Sequence, residues 1–172
     1  MTTVASSGTA VVTLPTGTQI LITREFDAPR PLVYRAYTEP ELVARWWSGE
    51  RGAVTSVESD LRVGGRWRYV MIANEGFEVA FHGTYREVVP NERIVATEIF
   101  EGAPGAPAYS NGDETGAPVT TTSFTEADGR TTITQLVECG TKEVRDAIIG
   151  SGMEGGMQEA MDKLEQVAMS LA

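Results

Sequence analysis

Met153-Glu154-Gly155-Gly156-Met157-Gln158-Glu159-Ala160-Met161-Asp162-Lys163-Leu164-Glu165-Gln166-Val167-Ala168-Met169-Ser170-Leu171 is the stretch on which the reading of this chain turns. Met153, Met157, Ala160, Met161, Leu164, Val167, Ala168 and Leu171 recur three and four residues apart, while Gln158, Glu159, Asp162, Lys163, Glu165 and Gln166 fall opposite. That spacing predicts a long helix with one buried and one wet face. Its buried face carries three methionines, whose flexible thioethers fill an irregular core or adapt to a guest of variable shape. Upstream, Lys142 opens a helical pattern on Val144 and Ile148 that Gly150, Gly152, Gly155 and Gly156 interrupt, and Ser151-Gly152-Met153-Glu154 has the spacing of a box capping a restarted helix.

Working back from this helix, the middle of the chain reads as strands. Runs at about 53–61, 66–73, 77–89, 92–101, 118–126 and 130–138 are separated by Gly64-Gly65, Asn74-Glu75-Gly76, Pro90-Asn91, one long loop and Asp128-Gly129. Short connections make neighbouring strands antiparallel. The first strand, Gln19 to Phe26, brings the number to seven. Between it and the second strand come two short helices: one from Pro31 with Leu32, Val33, Ala36 and Tyr37, and one opened by a capping box at Thr38-Glu39-Pro40-Glu41. Glu101 to Pro118 is rich in glycine and proline and is expected to be a mobile surface loop, either a lid or an unconstrained insertion.

The expected fold is therefore α+β: a curved seven-stranded antiparallel sheet wrapped around the C-terminal helix. A flexible leader spans residues 1–18 and a single domain spans 19–172. A chain of 172 residues buries roughly 70% of its unfolded surface and needs neither disulfide nor metal to fold. Cys139 is the only cysteine, which excludes an internal disulfide, fits a reducing cytoplasmic compartment and reads as a small buried strand residue. A formal charge of −10 opposes nucleic acid, and no segment resembles a signal peptide or a membrane span. One histidine and one cysteine cannot make a usual zinc set, and Gly64-Gly65 lacks the lysine-bearing helix start of a phosphate cradle. No metal and no cofactor are expected.

Aromatics at element ends mark the expected pocket. Trp46 and Trp47 close the second short helix, and Trp67 follows Gly64-Gly65. Strand alternation puts Trp67, Tyr69 and Met71 on one face, and Phe81 and Tyr85 on a face opposite His82. The candidate ligand-binding set is thus Trp46, Trp47, Trp67, Tyr69, Met71, Phe81, Tyr85, Met153, Met157 and Met161. Indole N–H and phenol O–H groups there would orient a ligand carbonyl or hydroxyl. His82, the only histidine, faces outward if Phe81 and Tyr85 face in. Of the strand carboxylates Asp60, Glu78, Glu98 and Glu138, any that is buried would have a raised pKa and act as an acid or base.

These pieces resemble a known family. Arg24-x-Phe26-x-Ala28-Pro29, Val33-Tyr34, Thr38-x-Pro40-x-Leu42, Trp46-Trp47 and Asp60-x-Arg62-x-Gly64-Gly65-x-Trp67-Arg68 occur in order. They are followed by His82-Gly83-Thr84-Tyr85-Arg86-Glu87-x-x-Pro90-x-Glu92-Arg93-Ile94, Gly129-Arg130-Thr131-Thr132-Ile133-Thr134 and Gly152-Met153-Glu154-x-Gly156-Met157. Over about residues 20–170 the chain resembles bacterial relatives of the activator of the ninety-kilodalton heat-shock-protein ATPase. The resemblance implies the helix-grip fold of the START-like (SRPBCC, polyketide cyclase-like) superfamily, with an apolar cavity between sheet and terminal helix.

Three functions follow in order of expectation. The first is a binder of a hydrophobic small molecule. The second is a cyclase, dehydratase or hydrolase using an inward ionisable residue. The third is a regulator of a chaperone or other protein partner, ranked last because the family's founding co-chaperone has a separate N-terminal chaperone-binding domain for which this chain leaves no room. The protein is expected to be a monomer or homodimer.

Overall fold

A computed structural model describes residues 9–101 and 116–172. The strands are β1 (Val11–Thr13), β2 (Gln19–Phe26), β3 (Gly52–Ser59), β4 (Arg66–Ala73), β5 (Glu78–Val89), β6 (Arg93–Thr97), β7 (Ile99–Phe100), β8 (Val119–Ala127) and β9 (Arg130–Glu138). The helices are α1 (Arg30–Thr38), α2 (Pro40–Val43), α3 (Lys142–Gly150) and α4 (Met153–Ser170). All strand pairs are antiparallel, in the order β1-β2-β9-β8-β6-β5-β4-β3, with β7 beside β5.

The expected count of seven strands becomes nine for two local reasons. Val11–Thr13, inside the stretch read as a leader, pairs with Leu21–Thr23. The run read as one strand at 92–101 breaks at Glu98, so that Thr97 ends β6 against Val119 and Ile99 starts β7 against His82. The loop reading for Glu101 to Pro118 falls mostly on 102–115, outside the described residues.

Hairpin chemistry was legible at Asp128-Gly129, where both residues have positive φ (54° and 75°), as a tight two-residue turn requires. The sheet bends at two irregularities, one between Val54 and Ser56 and the other between Tyr85 and Glu87, where an extra residue sharpens local twist. The resulting concave side receives α4.

Both expected capping boxes are absent. The Thr38 hydroxyl donates to the Tyr34 carbonyl (2.7 Å) instead of capping α2, whose N-cap is Glu39 and which lasts a single turn. A serine cap is likewise missing from α4: the Ser151 hydroxyl donates back to the Ile148 carbonyl (2.6 Å), and Gly152, at φ 80°, is the N-cap. In each case a backbone carbonyl of the preceding helix lies three or four residues back, and the hydroxyl reaches it as a second donor as readily as it would the next helix's N–H groups. The break between α3 and α4 therefore rests on glycine's access to positive φ.

Ala160, Met161, Leu164, Val167 and Ala168 of α4 are buried against Ile20, Ile22, Phe26, Val33, Phe124 and Ile133. One charge sits inside this core. Arg24, 1% exposed, points from β2 to α4 and donates to Asp162 Oδ1 (2.9 Å) and Glu165 Oε1 (3.1 Å), with its guanidinium 4.8 Å from the centre of the Phe26 ring.

Candidate functional site

Toward the α3 end of α4, sheet and helix separate and leave a hollow of about 450 Å³. Its floor is built by strand alternation: Ile20 and Ile22 from β2, Ile94 and Ala96 from β6, Thr120 and Thr122 from β8, Gln135 and Val137 from β9. All ten candidate residues, Trp46, Trp47, Trp67, Tyr69, Met71, Phe81, Tyr85, Met153, Met157 and Met161, stand in its wall. A side hollow of about 170 Å³ shares Trp47, Phe81, Glu98, Ile148 and Met153 with it and adds Phe100 and Pro118.

The aromatic wall is a chain of ring contacts, edge-to-face around Trp47, Tyr69, Trp67 and Phe81 and tilted between Phe81 and Phe100. Trp47 meets Tyr69 at 5.5 Å and Phe81 at 5.7 Å between ring centres, Trp67 meets Tyr69 at 5.0 Å, and Phe81 lies 5.0 Å from Phe100. These separations are those at which ring edges and faces attract, so the wall is held in shape before any guest arrives.

Its polar groups are distributed differently from the sequence expectation. Trp46 Nε1 donates to the Ala36 carbonyl (2.8 Å) and Trp67 Nε1 to the Thr97 carbonyl (3.2 Å), so neither indole N–H is available to a ligand. Gly83 permits the second bond: a Cβ there would stand 2.7 Å from Trp67 Nε1 and 1.9 Å from the Thr97 carbonyl oxygen. Among the described residues, Trp47 Nε1 has no hydrogen-bond partner. The Tyr85 hydroxyl pairs with Ser59 Oγ (2.7 Å), and Tyr37 Oη accepts from Gln135 Nε2 (2.9 Å) and lies 3.4 Å from Thr122 Oγ1. Burial raises the pKa of Tyr37 and Tyr85 and takes Tyr69 well above the ordinary phenol value, so all three remain neutral donors near neutrality.

Of the four strand carboxylates, Glu98 alone faces the hollow. Asp60 is exposed and paired with Arg62 (2.8 Å), Glu78 is exposed, and Glu138 accepts from the Gly140 N–H (2.9 Å), which lowers its pKa. Glu98 lies in the wall of both hollows, and no hydrogen bond reaches its carboxyl from the described residues. Desolvation pushes its pKa from 4.5 to about 7. Alternation along Ile94, Ala96 and Glu98 was the available sequence signal, because Ile94 belongs to the apolar face.

Folding therefore takes up a proton at Glu98 between pH 4.5 and about 7. Stability falls as pH rises through that window, and the loss is complete above it. Glu98→Gln removes the titration. The variant is expected to match wild type at pH 4.5 and to exceed it by up to about 3 kcal/mol at pH 8 in urea unfolding. An equal difference at both pH values contradicts a desolvated carboxyl.

His82 is on the other side of the sheet, as expected once Phe81 and Tyr85 face in. Its Nδ1 is 2.7 Å from Glu101 Oε2, and Arg68 donates to both Glu101 oxygens at 2.8 Å, which lowers the carboxylate's pKa. Sequence reasoning did not single out Tyr37, Arg51, Thr120, Thr122, Gln135 or Ile148 for the wall. Arg51 comes from the turns after α2 and is held by Glu159 of α4 (3.1 Å), with Gly155 leaving room for its guanidinium. Cys139 is buried and its pKa is pushed up to about 11, first by desolvation, which suits a structural thiol.

A bent antiparallel sheet, a terminal helix in its concavity and a hollow between them define a helix-grip protein of the START-like superfamily. The family described as "Activator of Hsp90 ATPase homolog 1-like protein" matches residues 27–169, and this chain belongs to it. Similar solved structures agree on the fold. A Rhodobacter sphaeroides protein superposes with a TM-score of 0.82 at 22% identity, covering 94% of this chain and 99% of its own. A Mycobacterium smegmatis protein gives 0.79 at 22%, covering 95% and 100%, and one from Chromobacterium violaceum gives 0.70 at 28%, covering 87% and 96%. No curated protein matches the chain in sequence. Among the described residues no helix is long and apolar enough to cross a membrane, and no three metal-ligating side chains cluster.

Proposed function

We propose that this protein binds a hydrophobic small molecule in the hollow between its sheet and α4. The observation that carries the reading is the hollow itself, about 450 Å³, walled by the three tryptophans, two tyrosines and four methionines of the candidate set together with Phe81. That volume lies within the range of small-molecule sites. Removing about 300 Å² of apolar ligand surface from water supplies roughly 7 kcal/mol, the scale of a micromolar complex when the wall is preformed. Met153 and Met157, half-buried at the α3 end of α4, line the hollow and adapt to the guest's outline.

A second reading has one observation in its favour. Glu98 is a carboxyl whose pKa burial pushes up to about 7 in the wall of a largely apolar hollow, which is what proton-transfer catalysis requires of an acid or base. It supports a cyclase or dehydratase-type reaction on the bound molecule. The chaperone-regulating role in the family's name would instead use the outer surface, on which Arg68, His82 and Glu101 sit.

Native mass spectrometry of protein purified without organic solvent tests the binding reading. A fraction of the protein is expected to carry one apolar compound of constant mass, removed by solvent extraction. A bare polypeptide mass, unchanged after incubation with a mixture of apolar compounds, contradicts it.

A further inference from the structure

The side hollow differs in character from the main one. Three aromatic rings, Trp47, Phe81 and Phe100, wall it together with Glu98, Pro118, Ile148 and Met153. Phe81 bridges the other two rings, 5.7 Å from Trp47 and 5.0 Å from Phe100. Among its described lining residues, Glu98 is the one ionisable group, and no lysine or arginine is present to neutralise it. Arg51 lines only the main hollow and is engaged by Glu159 at 3.1 and 3.4 Å.

An acidic group among aromatic faces with no partner among the described residues is an arrangement that costs free energy when empty. One kind of guest recovers it. A cationic nitrogen satisfies the carboxylate by charge and the rings by their negative faces, and the combination of rings with an acidic group suits ammonium ions. A carboxylate or phosphate guest would meet like charge instead. The chain's net charge of −10 also favours the approach of cations.

We propose that the ligand is a hydrophobic amine, its protonated or quaternary nitrogen seated in the side hollow between Glu98 and the rings of Trp47, Phe81 and Phe100, and its apolar body in the main hollow. This inference rests on the binding function proposed above and names its ligand class. When the cation enters, Glu98 is held as the carboxylate. Desolvation raises its pKa in the empty protein, and a cation beside it favours the charged form.

Three probes with one tail and different heads separate this inference from its parent. Decyltrimethylammonium, decanol and decanoate are titrated into the full chain at pH 7.5 below their micelle concentrations, with tryptophan fluorescence and calorimetry as readouts. The ammonium probe is expected to bind at least 10-fold more tightly than decanol, and decanoate more weakly than either. Glu98→Gln is expected to bring ammonium and alcohol to within about 2-fold of each other. Phe100→Leu is expected to weaken the ammonium probe several-fold and decanol little. Equal affinities for ammonium and decanol, or a preference that survives in Glu98→Gln, overturns the amine assignment while the binding function stands. If none of the three binds, both fall.

Discussion

Arg24→Ala is expected to cost about 3–5 kcal/mol of folding stability, a large part of the 5–15 kcal/mol typical of a domain. Arg24 is 1% exposed, and its Nη1 and Nη2 donate to Asp162 and Glu165 on α4. The Glu165 side chain is itself only 14% exposed, and its other oxygen accepts from the Asp27 N–H (2.8 Å). Removing the guanidinium thus takes the cation away from a mostly buried carboxylate and leaves a void over the Phe26 ring. The Asp162 contribution is smaller, because that carboxylate is 53% exposed and screened by water. Asp162→Asn should therefore cost no more than about 1 kcal/mol. Urea unfolding of the two variants checks the ordering, and equal losses would contradict a buried Arg24–Glu165 anchor.

Ala96→Trp is expected to abolish uptake of an apolar probe, weakening it at least 100-fold, without unfolding the protein. Ala96 lies on β6 between Ile94 and Glu98, paired with Tyr85 on one side and Thr120 on the other, and its side chain faces the main hollow. An indole placed there occupies the volume a guest would use. In a packed core the same change would overpack and cost about 1–3 kcal/mol. In a hollow it fills space and is expected to leave stability unchanged or to raise it by about 0.5–2 kcal/mol. Lost binding with retained or improved stability is a combination that general destabilisation cannot produce.

The parts of this fold legible in the sequence are those governed by local periodicity. The α4 stripe from Met153 to Leu171 and the alternation of Trp67, Tyr69 and Met71 depend on side-chain direction alone, and the ten candidate residues stand around one hollow because those directions converge. The positions of Tyr37, Gln135 and Arg51 depend on how β9, α1 and the turns after α2 meet the helix, which no local pattern encodes. The capping boxes at Thr38 and Ser151 had the right residue types, yet their hydroxyls turned back to the carbonyls of Tyr34 and Ile148. The role foreseen for the indole N–H groups of Trp46 and Trp67 failed similarly, because backbone carbonyls of Ala36 and Thr97 lie within reach. Glu98 was one of four strand carboxylates in sequence, set apart there by its alternation with Ile94 and Ala96. The break between β6 and β7 at Glu98 and the pairing of its N–H with the Pro118 carbonyl (2.9 Å), which no local pattern encodes, fix its place.

The claim on which the rest depends is that sheet and α4 enclose space a guest can enter. Titration of the neutral fluorescent probe N-phenyl-1-naphthylamine into wild type and Ala96→Trp, side by side, tests it most directly. The account predicts one saturable site of micromolar affinity in wild type, with quenching of tryptophan emission, and no saturation in the variant. No saturable binding to wild type, or equal binding to both proteins, would contradict it.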